Sequence, residues 1–168
     1  MPNPDVKARP RAKLPEGCEI DLATVSDVVR LAYLFKDFFG ESDYAKQGIT
    51  YSPNRAAGWL KRAIETGTFP HIVARMGDRI IGVISWSMDD SFCEEPIAVL
   101  HTIYVRPEYR RSVIGRALLA LAMDVARSEG ACAFSAPITS GMKEMRGLQN
   151  MLAKAGFAPS GVVMTKRF

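Results

Sequence analysis

Apolar and polar positions along this chain alternate with two periods, and each switch between them marks an element. "CEIDLAT" (18–24) alternates as a short strand. From Val28 the apolar set Val28, Val29, Leu31, Ala32, Leu34, Phe35 and Phe38 recurs at helical spacing, with Thr24 or Ser26 as its cap. A polar loop dotted with aromatics, "GESDYAKQGITYS", leads to Pro53 and a second helix through Ala57, Leu60 and Ile64 that Gly67 closes. "HIVARM" and "RIIGVISWSM" flank the pair Gly77-Asp78, the pattern of a two-residue hairpin turn.

After an acidic loop, "DDSFCEEP", the β-branched and aromatic run "IAVLHTIYV" predicts another strand, which Pro107 ends. Ile114, Ala117, Leu118, Leu121, Ala122 and Val125 then form one face of a helix reaching Gly130. "ACAFSA" predicts a strand, "GMKEMRGLQNMLAKAG" a helix and "VVMTKRF" a closing strand. This order predicts an α/β domain with a mixed sheet.

Composition changes that picture only at the ends of the range. At 168 residues, 48% of them apolar, the chain suits one compact domain with a full core. No apolar run approaches the roughly 20 residues that span a bilayer. The net charge of +4 is concentrated in "MPNPDVKARPRAKLP", where four basic residues stand against Asp5, and the rest of the chain balances to within one charge. Residues 1–16 therefore read as a disordered basic tail and 17–168 as a single domain. The first residues lack an apolar h-region, so no signal peptide is expected. A nearly neutral body argues against a nucleic-acid binder, although the tail could touch such a partner. Scattered cysteines (Cys18, Cys93, Cys132) argue for a reducing cytoplasm, and with only His71 and His101 no metal site is expected. Cys93, flanked by acids, reads as unreactive.

The stretch "VRPEYRRSVIG" (105–115) carries the chemistry. A strand ends, a cationic loop follows and a helix starts near Val113. The first turn of a helix has amides without intrahelical partners at the positive end of its dipole, which suits phosphate. Arg110, Arg111 and Arg116 can add charge-assisted hydrogen bonds, and Ser112 can cap the helix or donate to the anion. The competing reading is a solvated cationic helix start.

With these residues in view, the chain resembles the GNAT family of acyl-CoA-dependent N-acetyltransferases. The family's strand ending V-x-P, followed by R/Q-x-x-G-x-G/A at a helix start, is matched by Val105, Pro107, Arg110, Gly115 and the following Leu118. The order of elements over roughly 18–168 agrees, as does a late K-x-G-F turn, Lys154-Ala155-Gly156-Phe157. The resemblance implies a mixed, mostly antiparallel central sheet of about six to seven strands flanked by about four helices. It also implies acetyl-CoA as co-substrate. The pyrophosphate would lie on the backbone of Arg110, Arg111, Ser112, Val113, Ile114, Gly115 and Arg116, and the pantetheine arm would pair with Ile103, Tyr104 and Val105. Three positions depart from the family: Val113 replaces a loop glycine, Leu152 a tyrosine that acts as acid, and Met145 an asparagine.

At the position where many members carry a glutamate, this chain has His101, either a general base or a histidine satisfied within the sheet. His71 reads as structural. The acidic loop (Asp89, Asp90, Glu94, Glu95) and the group Asp37, Glu41, Asp43, Tyr44 and Tyr51 are candidates for binding a cationic acceptor, or else solvated surface. The reading is direct acetyl transfer to a primary amine, on a small molecule or on a protein or peptide, in a ternary complex. The alternative is a non-catalytic acyl-CoA-binding module. Exposed closing strands are compatible with a homodimer.

Overall fold

The computed structural model describes residues 13–91, 94–138, 141 and 145–161. Five strands, β1 (Cys18–Leu22), β2 (His71–Met76), β3 (Arg79–Asp89), β4 (Ile97–Val105) and β5 (Ala133–Ser135), form one sheet in that order. Neighbours run antiparallel from β1 to β4, and β5 lies parallel to β4. The α-helices are α1 (Val28–Glu41), α2 (Asp43–Lys46), α3 (Pro53–Thr66), α4 (Ile114–Ser128) and α5 (Met145–Lys154). This is the expected α/β class with a mixed, mostly antiparallel sheet. No helix among the described residues is long and apolar enough to cross a membrane.

Two counts are corrected. The polar loop after Gly40 contains one helical turn, so there are five helices rather than four. Ser42 is extended and breaks the run from α1. Asp43 and Lys46, which pair at 2.5 Å, then sit at the dipole ends that favour each of them. The sheet has five strands among the described residues instead of six to seven. The closing strand expected over 162–168 lies outside the described residues, as do residues 1–12 of the expected tail and Cys93.

The sheet divides the core into two layers. On one face Ile72, Ile84, Trp86, Ala98 and Leu100 pack with Ile114, Leu118 and Ala122 of α4 and Leu152 of α5. On the other, Val73, Ile80, Val83 and Tyr104 pack with Leu31 and Leu34 of α1 and Leu60 of α3. Residues on one strand face should alternate strictly, yet β4 changes parity partway along. Ser85 pairs with Thr102 while Trp86 pairs with Leu100, so His101 is left as a bulged residue. Before the bulge Ala98 and Leu100 face α4; after it Val105 faces α4 and Tyr104 faces α1. A second bulge in β3 leaves Ile81 unpaired.

The entry to α1 is tied to the sheet by a buried carboxylate. Asp27 accepts hydrogen bonds from the Thr24 amide at 2.8 Å and from Arg75 of β2 at 2.6 Å. Burial opposes its charge, but these donors outweigh burial and hold the carboxyl below its ordinary value. A depressed folded-state pKa stabilises the fold above the ordinary carboxylate value, and that contribution is lost as pH falls through the folded one. Asp27→Asn should therefore cost about 2 kcal/mol at pH 7. Urea unfolding of both proteins should show the gap closing as the pH is lowered toward 3; a constant gap would mean that the ion pair is not its source.

Candidate active site

Beyond the bulge, β4 stands apart from β5. The two strands pair only from Ile97 to Val99, opposite Ala133 to Ser135. From Leu100 to Val105 that edge of β4 has no strand partner among the described residues. A cleft of about 410 Å³ opens there, walled on one side by Ile103, Tyr104 and Val105 and on the other by Leu148 and Met151 of α5. Its floor is the start of α4, with Arg111, Ser112, Gly115 and Arg116.

Local chemistry explains that floor. Pro107 opens a single 3-10 turn, Pro107–Tyr109, and α4 begins at Ile114. The Ser112 hydroxyl donates to the Tyr109 carbonyl at 2.6 Å and accepts from the Ile114 amide at 3.2 Å. It therefore closes the loop, and its proton is already engaged. The amides of Arg111, Val113, Gly115 and Arg116 have no hydrogen-bond partner among the described residues. Gly115 is not required by protein packing: a Cβ there would meet only Met151 Sδ at 3.5 Å and Val105 Cγ2 at 3.8 Å, ordinary contacts. What a side chain would obstruct is the cleft itself. Arg111, Arg116 and Lys154 border it with no carboxylate partner among the described residues. Free amides, free cations and an unpaired strand edge form a site suited to a phosphorylated ligand with strand-like amides.

Arg110 stands apart from its neighbours. It donates from Nη2 to Glu41 at 2.6 Å and from Nε to the Val105 carbonyl at 2.8 Å, with its guanidinium over the Tyr104 ring. Tyr104 also donates its hydroxyl to Glu41 at 2.6 Å, and burial first, then that carboxylate, raises its pKa. Arg106 pairs with Asp37 at 2.5 Å. Two carboxylates of α1 thus hold the ends of β4 and its loop. Asp37, Glu41 and Asp43 all have cation partners, so the sequence-level grouping of free acids around an acceptor groove is not what these three form.

His101 lies on the α1/α3 face. Its Nε2 is 2.7 Å from Ser87 Oγ and its ring rests on Phe69, centroids 5.1 Å apart. Burial lowers its pKa, which keeps the imidazole neutral near pH 7. When Nε2–H donates to Ser87, Nδ1 holds the free lone pair. His71 is buried, with Nδ1 2.6 Å from the Phe69 carbonyl oxygen, and so braces the residue on which His101 rests. Asp89 ends β3, and Asp90 and Glu94 lie in the loop from β3 to β4, at the end of β4 opposite the anion loop and about 25 Å from it at the rise of a strand. Tyr44 and Tyr51 sit together in an aromatic pocket between α1, α2 and α3. Leu152 points into the core with 4% exposure, so the position where the family places a tyrosine does not face the cleft.

Sequence reasoning missed the α5 wall of the cleft and the bulge at His101. The spacing of Leu148 and Met151 marks one helix face, but nothing local distinguishes a wall from core.

A splayed α/β sheet, with a helix start beneath the gap bearing amides that have no partner among the described residues, defines the class: a splayed-sheet α/β protein with a cleft at an open strand edge. The chain belongs to the acetyltransferase (GNAT) family, whose sequence model matches residues 30–157. The sequences of curated proteins offer no significant match. Among solved structures, a probable acetyltransferase superposes with a TM-score of 0.71 at 20% identity, covering 89% of this chain and 96% of that one. AAC(6')-Iy, in complex with the bisubstrate analog CoA-S-monomethyl-acetylneamine, gives 0.72 at 14% identity over 90% and 97% of the two chains. Ribosomal-protein-alanine N-acetyltransferase from Brucella melitensis biovar Abortus 2308 gives 0.68 at 15% identity over 90% and 99%. Identities this low bear on the fold alone.

The two kinds of arginine should separate experimentally. Arg110→Ala should lower the melting temperature of the free protein, because Glu41 and Tyr104 lose their partner. Arg116→Ala should leave the melting temperature unchanged but weaken coenzyme A binding about tenfold, with a shallower salt dependence by calorimetry. The reverse pattern would exchange their roles.

Proposed function

We propose that the chain transfers an acetyl group from acetyl-CoA to a primary amine, by direct attack with both substrates bound. The observation that carries this reading is the cleft at the open edge of β4, where amides and cations without a partner among the described residues lie beneath a strand edge that none of the described strands pairs. Related folds support it: one neighbour is described with a CoA-based bisubstrate analog and another as an N-acetyltransferase.

Acetyl-CoA supplies the acetyl group as an already activated thioester. The residues' part is to bind and orient. The amides of Arg111, Val113, Gly115 and Arg116, with the side chains of Arg111, Arg116 and Lys154, hold the phosphates. Ile103, Tyr104 and Val105 offer backbone groups to the pantetheine amides and hold the reacting carbon in a fixed place. Val113 contributes its amide without the clearance of a glycine. His101, fixed by Ser87 and Phe69, takes the proton from the incoming amine at Nδ1. Leu152 donates no proton; a thiol with an ordinary pKa near 8.5 departs as thiolate.

Acetyl-CoA at a hundredfold excess over Kd should stabilise the protein by about 2.7 kcal/mol, seen as a raised melting temperature. Thiol release with a primary amine should follow. Stabilisation without release across a broad amine panel would instead identify a non-catalytic acyl-CoA-binding module. His101→Gln should lower kcat by about 10²-fold and remove the acid limb of kcat/KM, which lies below pH 6.5 in the parent because the folded pKa is depressed. Retention of that limb would exclude His101 as the base. Val113→Gly should retain or improve cofactor affinity, and a large loss would refute the loop register.

A further inference from the structure

The second cavity of the molecule points to what the acceptor carries. A pocket of about 420 Å³ opens between α1, α2 and α3, and six of its nine lining residues are aromatic. Phe39 packs on Tyr44 and on Tyr51, with centroids 6.0 Å and 5.5 Å apart. Tyr51 turns its hydroxyl onto the Ala32 carbonyl at 2.7 Å, and burial pushes its pKa up to about 12, so its ring faces the pocket as apolar surface. At the rim Ile49 and Trp59 are 46% and 42% exposed, large apolar side chains left in contact with water.

The pocket adjoins the reaction centre by two routes. Trp59 packs on Phe69 at 5.2 Å, and Phe69 packs on His101 at 5.1 Å. Phe38 packs on Tyr104, a wall of the cofactor cleft, at 5.6 Å. His101 and the pocket share the α1/α3 side of the sheet. Trp59, Phe69 and His101 thus form a row of rings in contact that runs from the cavity to His101. The carboxylates Asp37, Glu41 and Asp43 are each paired with a cation of this chain, which weakens their pull on a polycation. The volume falls within the range of sites that enclose a small molecule.

We infer that the acceptor is a small primary amine bearing an aromatic group, with the ring seated between Phe39, Tyr44, Tyr51 and Trp59 and the amine directed to His101. This rests on the acetyl-transfer reading above and specifies its substrate class. Ring-to-ring packing in such a cavity supplies affinity without requiring a counter-charge for the amine.

The test compares 2-phenylethylamine, n-butylamine and spermidine as acceptors with acetyl-CoA, in the parent and in Trp59→Ala and Ile49→Asp. Both altered positions are at the exposed rim, and melting temperatures confirm that the variants fold. The expected result is a kcat/KM for 2-phenylethylamine at least tenfold above the other two. Each variant should raise the KM for this amine about tenfold and leave that for acetyl-CoA unchanged. A preference for spermidine, or variants that leave the aromatic preference intact, would overturn the aromatic site while acetyl transfer stands. If no amine is acetylated, the transfer reading falls, and the emission of Trp59, measured against Trp59→Phe, tests the pocket directly. A saturable change on adding 2-phenylethylamine, lost in Ile49→Asp, supports the site, and no change overturns it.

Discussion

β4 shares hydrogen bonds with β5 only over three residues, and the cleft at its edge depends on that early parting. A strand edge ordinarily invites pairing with another chain. Here the edge at Ile103, Tyr104 and Val105 borders the cleft, with α5 opposite and the start of α4 below. The backbone groups left over are at the place where an extended, amide-bearing arm can complete the ladder. The bulge at His101 lies just past the last paired residue, Val99, and turns the later residues of β4 over. Val105 thereby joins the core under α4, while Tyr104 faces α1 and reaches Glu41.

The same strand joins the two halves of the site. α1 contributes ring walls to the aromatic pocket and, through Asp37 and Glu41, carboxylates to Arg106 and Arg110 at the end of β4. These pairs are partly sheltered from solvent, and each draws on groups far apart in sequence. The loop after β4 and the aromatic pocket are therefore both tied to one helix. The shape of that loop is set by Arg110, held between Glu41 and the Val105 carbonyl, and by the Ser112 hydroxyl.

The loop and helix start that border the cleft were legible in the chain. A strand ending at Val105, a proline, arginines and a helix start specify unsatisfied amides through local geometry alone, and the cleft forms around those residues. The acceptor side was far less legible. Asp37, Glu41 and Asp43 look in sequence like a field for cations, and only their pairing with Arg106, Arg110 and Lys46 removes that field. Tyr44 and Tyr51 were named for their aromatic character, but the hydrophobic cavity they share needs Phe39 and Trp59 from two other segments. Arg110 cannot be told from Arg111 without knowing that Glu41 lies beneath it.

The sequence by itself determined most of the described elements, their order and the family, because periodicity, caps and turn residues act over a few neighbouring positions. Tertiary structure alone decided which charges stay free, where β4 bulges and which rings face one cavity. The pairs Arg106–Asp37 and Arg110–Glu41 join residues 69 positions apart, and a strand's register belongs to two strands and not to one. Such long-range pairings leave no local period to read.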